Sequence, residues 1–111
     1  MKVFNLTTGT NDAGDKVLDL FVYGVIAQGW SDTVDAAEIA KALAANKDAK
    51  AITSHINSVG GDVFDGLAIH NMLDNHPAEI TAHIDGLAAS SASLIAMAAD
   101  KIVAPENTFM V

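Results

Sequence analysis

The stretch D-G-L-A-A-S-S-A-S-L-I-A-M-A-A, residues Asp85 to Ala99, passes from a strand-like run through a Gly-Ala turn into a small-residue helix. A serine pair, Ser90-Ser91, sits at the point of entry. A hydroxyl there lies on the rim of a sheet, at the positive end of a helix, beside backbone N–H groups that have no intrahelical partner. Acyl-transfer chemistry is usually placed in such a setting. The alternative use of A-A-S-S is helix capping and close packing.

Upstream, Ala78 to Asp85 alternates as a strand, and Ala51 to Asn57 does the same with Ile52, Ser54 and Ile56 on one side and Thr53 and His55 on the other. Between them, Ser58 to Asp62 (S-V-G-G-D) is a loop, and a helix from Asp62 is expected to bury Phe64, Leu67, Ala68 and Met72 before stopping at His76-Pro77. Asp35-Ala-Ala-Glu38 has the form of a capping box, with Ala36, Ile39, Ala40 and Leu43 at helical spacing and an end near Asn46. At the N-terminus, Val3 to Thr7 and Val17 to Ile26 read as strands joined by a turn over Thr8 to Asp15. The Asn11, Asp12 and Asp15 cluster in that turn lacks the terminal Glu of a calcium loop and reads as a solvated turn. Trp30, in the loop from Gln28 to Thr33, reads as a partly buried anchor, with substrate or partner contact as the alternative. Downstream, Lys101 to Ala104 is a short strand, Pro105 to Asn107 a turn, and Thr108 to Val111 extended.

Strands alternating with helices of ~10–15 residues predict an α/β fold whose parallel strands are joined by crossover helices. Ligands of such sheets gather beyond the carboxyl ends of the strands. Gly60-Gly61 and the turn from Gly86 to Ser90 both fall there.

Composition sets bounds. The chain has 111 residues, half of them hydrophobic but only 5% aromatic, and mean hydropathy is +0.29. One domain with an aliphatic core is expected, and disorder is disfavoured. Six basic against fourteen acidic residues give a formal charge of -8, which repels nucleic-acid phosphates and anionic lipid. No cysteine is present, so disulfides and thiolate metal sites are excluded, which suits a cytoplasmic protein. No signal-peptide pattern follows Met1-Lys2, and the run from Leu87 to Ala99 is shorter than the ~20 apolar residues of a membrane span. No cofactor or metal is expected.

A peptide-bond hydrolase needs a nucleophile, a base and donors aimed at the developing oxyanion. Ser90 can attack, while the backbone N–H groups of Gly61 and Ser91 can surround a tetrahedral intermediate. Two adjacent glycines after a strand equally suit a plain tight turn.

Two segments carry a family resemblance. I-N-S-V-G-G-D-V-F-D-G-L-A-I (Ile56 to Ile69) resembles the I-N-S-P-G-G segment of the Clp protease proteolytic subunit family. D-G-L-A-A-S (Asp85 to Ser90) resembles that family's G-x-A-A-S nucleophile turn, and the spacing between the two suits the same alignment. In flavour the segments are most similar to the phage and prophage branch, the Clp-like head maturation proteases. The resemblance implies a ClpP/crotonase-like spiral of β-β-α units with mostly parallel strands. It also implies a serine endopeptidase with Ser90 as catalytic nucleophile and Gly61 and Ser91 as the oxyanion hole. A homo-oligomer ring acting on polypeptides is implied too, with an ATP-dependent unfoldase or phage capsid proteins as partners. Val59 stands where the main family has proline. In that family the strand matching Thr108 to Val111 is followed by the catalytic histidine, and the acidic residue lies further on. Residues 1–111 are therefore expected to be the N-terminal part of a single Clp-like domain, inactive alone, since loss of a triad histidine costs about a million-fold in turnover. His55 or His83 as a substitute base, and a dyad with Lys101, are weaker options. The rivals are a crotonase-type acyl-CoA enzyme, which needs the paired donors but no nucleophilic serine, and an inactive assembly subunit.

Overall fold

The computed structural model describes residues 6–28 and 33–111. β1 (Leu6–Thr10) and β2 (Lys16–Tyr23) form an antiparallel hairpin, with Leu6 opposite Leu20 and Thr10 opposite Lys16. β1 thus pairs as far as Thr10, into the segment read as turn from Thr8. The turn proper is an Asx turn, with the Asn11 side-chain oxygen accepting from the N–H groups of Ala13 and Asp15. Trp30 and most of the expected strand from Val3 lie outside the described residues.

α1 (Ala36–Ala45) begins where Asp35 accepts from the Ala37 and Glu38 N–H groups, and ends at Asn46, as the sequence predicts. It buries Ala36, Ile39 and Leu43. β3 (Ala51–Ser58) follows, then α2 (Val63–Asp74), capped by Asp62 accepting from the Asp65 N–H at 2.9 Å. β4 (Glu79–Ala88), the six-residue α3 (Ser91–Ala96), β5 (Lys101–Val103) and β6 (Phe109–Met110) complete the order.

The strands form one sheet in the order β1-β2-β3-β4-β5, all parallel after the first hairpin, with β6 also pairing parallel to β4. Register aligns the alternation. Leu18, Ile52 and Ile80 lie in one row, and Val22, Ile56 and Ile84 in another, all buried. The core sits between these rows and the buried residues of α1, α2 and α3. Each fully buried Ile or Leu contributes roughly 1.5–3 kcal/mol of transfer free energy. Asp19, Phe21, His55 and His83 occupy the reverse face, half-buried.

α2 departs from expectation. It buries Gly66, Ile69 and Leu73, whereas Phe64 is 82% and Leu67 42% exposed. Ala68 is exposed as well, and Met72 is half-buried against the core. The cause is close approach to α3: a Cβ on Gly66 would lie 2.7 Å from the Ser91 Cβ. The face carrying Gly66 turns inward with Ile69 and Leu73, and Phe64 and Leu67 are left outside.

β4 runs beyond the expected end at Asp85. Ile56 pairs with Ile84 but Ser58 pairs with Ala88, so two steps on β3 match four on β4. Asn57 fills the bulge. Its Oδ1 accepts from the Leu87 N–H and lies where a Cβ on Gly86 would stand. α3 is also short, giving way to turns after Ala96 rather than continuing as helix to Ala99.

Candidate active site

The bulge delivers Ser90 to the carboxyl edge of the sheet. Ser90 has φ 54° and ψ -126°, and is the only non-glycine residue with positive φ among those described. Such backbone costs an L-residue about 1–3 kcal/mol and persists only where neighbours enforce it. Here three hydrogen bonds do so: Ala89 N–H to Ser58 O (3.1 Å), Ser90 N–H to Val111 O (3.0 Å) and Val111 N–H to Ala88 O (2.9 Å). The Ser90 side chain is exposed, and it neither caps α3 nor hydrogen-bonds any described residue. The capping alternative does not hold.

Gly60 and Gly61 lie against this turn. A Cβ on Gly60, where φ is 94°, would stand 2.7 Å from Ala89 O, 2.9 Å from Ser90 Cβ and 3.1 Å from Ser91 N. Only glycine permits that approach. Gly61 is fixed from its other side: Ile26 N–H donates to Gly60 O and Asp62 N–H to Ile26 O, leaving no space for a Gly61 side chain. Ser58 secures the loop's base, its hydroxyl donating to Gly24 O and accepting from Gly60 N–H. The N–H groups of Gly61 and Ser91 have no acceptor among the described residues. The turn that exposes the Ser90 hydroxyl and two amide donors without an acceptor among the described residues thus share one rim, and the Gly60 contact brings them together.

The other candidates lie elsewhere. Lys101 pairs with Thr81, near the opposite end of β4 from Ala88. At ~3.3 Å per residue that is about 20 Å from Ser90. His76 is structural: its Nδ1 accepts from Ala78 N–H, and its Nε2 contacts Asn46 O at the end of α1. His70 contacts only its neighbour Asn71. His55 and His83 lie side by side on the reverse face. There they join a cluster that sequence reasoning did not assemble. Asp85 accepts from the Tyr23 hydroxyl and lies 2.7 Å from His83 Nδ1, while His55 Nε2 lies 2.9 Å from Asp19 Oδ1. Partial burial pushes the Asp85 carboxyl up, but the Tyr23 and His83 hydrogen bonds and the nearby imidazoles outweigh it and leave it below its ordinary value. The hydrogen bond to Asp85, burial and the carboxylate charge raise the Tyr23 hydroxyl. The signal available in sequence was the recurrence of titratable residues on the non-core positions of three successive strands.

The Clp protease family model matches residues 15–111. The chain belongs to the Clp protease family. Among solved structures it is similar to ClpP1 from Listeria monocytogenes, with 30% identity and a TM-score of 0.64 over 73% of this chain and 46% of that one. An enoyl-CoA hydratase from Streptomyces coelicolor shares the fold, with a TM-score of 0.68 at 17% identity over 96% of this chain and 47% of that one. An uncharacterized protein of Methanocaldococcus jannaschii is 34% identical over 89 residues, which are 80% of this chain and 31% of that protein. The chain therefore spans less than half the length of these Clp-family and crotonase-fold relatives. The α/β fold with mostly parallel strands, expected from the sequence, is the fold of both groups.

Proposed function

We propose that this chain supplies the nucleophile and the oxyanion-binding half of a serine endopeptidase. Ser90 Oγ attacks the scissile carbonyl to form an acyl-enzyme, which water then releases. The Gly61 and Ser91 amides donate to the oxyanion, where loss of one such donor typically costs ~100- to 1000-fold in rate. The observation that carries this reading is the strained, exposed Ser90 held beside two amides with no other acceptor. None of the four histidines hydrogen-bonds Ser90 among the described residues, and in this reading the base is a histidine other than these four. Without it this polypeptide turns over little or no substrate.

The substrates are polypeptides, and the working form is a homo-oligomeric ring in the cytoplasm. An ATP-dependent unfoldase is the partner of a housekeeping enzyme, and capsid protein the target of a phage head maturation protease. The negative charge supports neither nucleic-acid nor membrane binding. Among the described residues, no helix is long and apolar enough to cross a membrane.

The test is fluorophosphonate labelling of the intact natural protein, with the adduct located by mass spectrometry. An adduct at Ser90, lost in Ser90→Ala together with cleavage of an unstructured protein substrate, is expected. Turnover of a CoA thioester with no adduct would refute the peptidase reading in favour of crotonase-type chemistry.

A further inference from the structure

On the reverse face of the sheet, away from Ser90's helix, the adjacent parallel strands β3 and β4 place His55 directly opposite His83. Asp85, two residues along β4, projects to the same side. One ligand atom from each of the three lies within 4.8 Å of the others. Asp85 Oδ1 is 2.7 Å from His83 Nδ1, and Asp85 Oδ2 is 3.7 Å from His55 Nδ1. We propose that His55, His83 and Asp85 bind a divalent transition-metal ion of the zinc type.

Three observations carry the assignment. First, His55 is already oriented as a ligand. Its Nε2 faces Asp19 Oδ1 at 2.9 Å, and its ring stacks on Phe21 with centroids 4.8 Å apart and planes 14° apart. Asp19, an acceptor only, takes the Nε2 proton, so a metal would find Nδ1, on the Asp85 side, as the ligating nitrogen once that atom carries no proton. A carboxylate on the far nitrogen of a ligating imidazole is the usual support for a metal-bound histidine. Second, at 3.7 Å the gap between His55 Nδ1 and Asp85 Oδ2 is too long for a hydrogen bond. The gap leaves room for a cation, which would take the place of any proton on Nδ1 and bond both atoms. Third, the donor set is right for the ion. Two imidazoles and one carboxylate suit zinc and its neighbours better than the all-oxygen preference of calcium or magnesium.

The geometry needs modest closure. Tetrahedral zinc with bonds of about 2.0–2.1 Å holds its ligand atoms about 3.4 Å apart, so a pair at the 4.8 Å limit must draw in by ~1.4 Å, while the 2.7 Å His83–Asp85 contact must open by ~0.7 Å and exchange its hydrogen bond for metal bonds. The side chains are 24–38% exposed and have room to do so. Water completes the fourth position. The Tyr23 hydroxyl remains on the Asp85 carboxylate as a supporting donor. Occupied, the site ties β3 to β4 directly and β2 through Asp19 and Tyr23. It uses none of Ser90, Gly61 or Ser91, so it stands or falls apart from the peptidase reading.

The experiment is titration of the metal-free protein with Zn²⁺ by calorimetry, alongside the imidazole NMR resonances. Expected are one ion per chain, shifts confined to His55 and His83, and a rise in melting temperature. His83→Asn and Asp85→Asn should each weaken binding at least ~10-fold. Asp19→Asn, which leaves the ligands in place, should weaken it by about 10- to 100-fold with stoichiometry unchanged. His70→Asn should change nothing. The NMR arm needs no variant and decides the matter if one of them fails to fold. No uptake, uptake at unchanged affinity in His83→Asn, or shifts centred on His70 or His76 would overturn the proposal.

Discussion

Substituting Gly60 by alanine tests the contact on which the site depends. Gly60 has φ 94°, and the left-handed region costs an L-residue about 1–2 kcal/mol. The added methyl would also stand 2.7 Å from Ala89 O, 2.9 Å from Ser90 Cβ and 3.1 Å from Ser91 N. These atoms cannot give way cheaply, because the Ala89 and Ser90 amides are tied to Ser58 and Val111. Overpacking of this kind costs roughly 1–3 kcal/mol. The sum is ~2–5 kcal/mol, a large share of the ~5–15 kcal/mol that stabilises an ordinary domain. Gly14 provides the control. Its φ is 85°, yet nothing lies within 4 Å of the methyl it would gain, so Gly14→Ala carries the backbone cost alone. In urea denaturation, with a slope of about 1.5 kcal/mol per M, Gly60→Ala should lower the midpoint by ~1.5–3 M and Gly14→Ala by ~1 M. Equal losses, within ~0.5 kcal/mol, would mean that the glycine loop does not touch the serine turn, and the site as described would not exist.

Ser90→Gly relieves the strained backbone and should raise stability by about 1 kcal/mol while abolishing the fluorophosphonate adduct, a pairing measurable by urea denaturation and mass spectrometry. Phe64→Ser and Leu67→Ser should change unfolding free energy by no more than ~0.5 kcal/mol, whereas Ile69→Ala should cost about 2–5 kcal/mol. The reverse order would restore the helix face expected from sequence. The hydrogen bond from the Lys16 ammonium, 3.3 Å away, holds the Asp48 carboxyl below its ordinary value. That contribution is present above the ordinary carboxylate range and is lost as pH falls through the lowered value. Asp48→Asn should therefore unfold at unchanged denaturant concentration in strong acid and slightly earlier than the parent at neutral pH.

The parallel sheet was legible because Ile52-Ser54-Ile56 and Ile80-Ala82-Ile84 lie at alternate positions and the β2 segment is rich in strand-forming residues, signals that survive in sequence whatever the strands pack against. Asp35 and Asp62 were legible as caps for the same local reason. The orientation of α2 was not. It depends on how near Ser91 comes to Gly66, a contact between residues far apart in the chain, and apolar spacing alone favoured the wrong face. The end of β4 was hidden by its bulge, which breaks the alternation at Asp85 although pairing resumes at Ala88. For the site, Gly61, Ser90 and Ser91 were singled out from their motifs, while the conformation of Ser90 and the Gly60 contact needed coordinates. The reverse-face cluster escaped because its members are scattered over β2, β3 and β4 and meet only through register.

The Ser90 amide donates to Val111, at the end of β6, so the serine's backbone is anchored by a two-residue strand with few other attachments. Peeling that strand from β4 would release the turn from two of its three restraints and let the serine slacken toward an ordinary conformation. The conformation of Ser90 is therefore coupled to a latch some distance along the chain. The exchange rate of a single amide proton, that of Ser90, reads how often the latch opens.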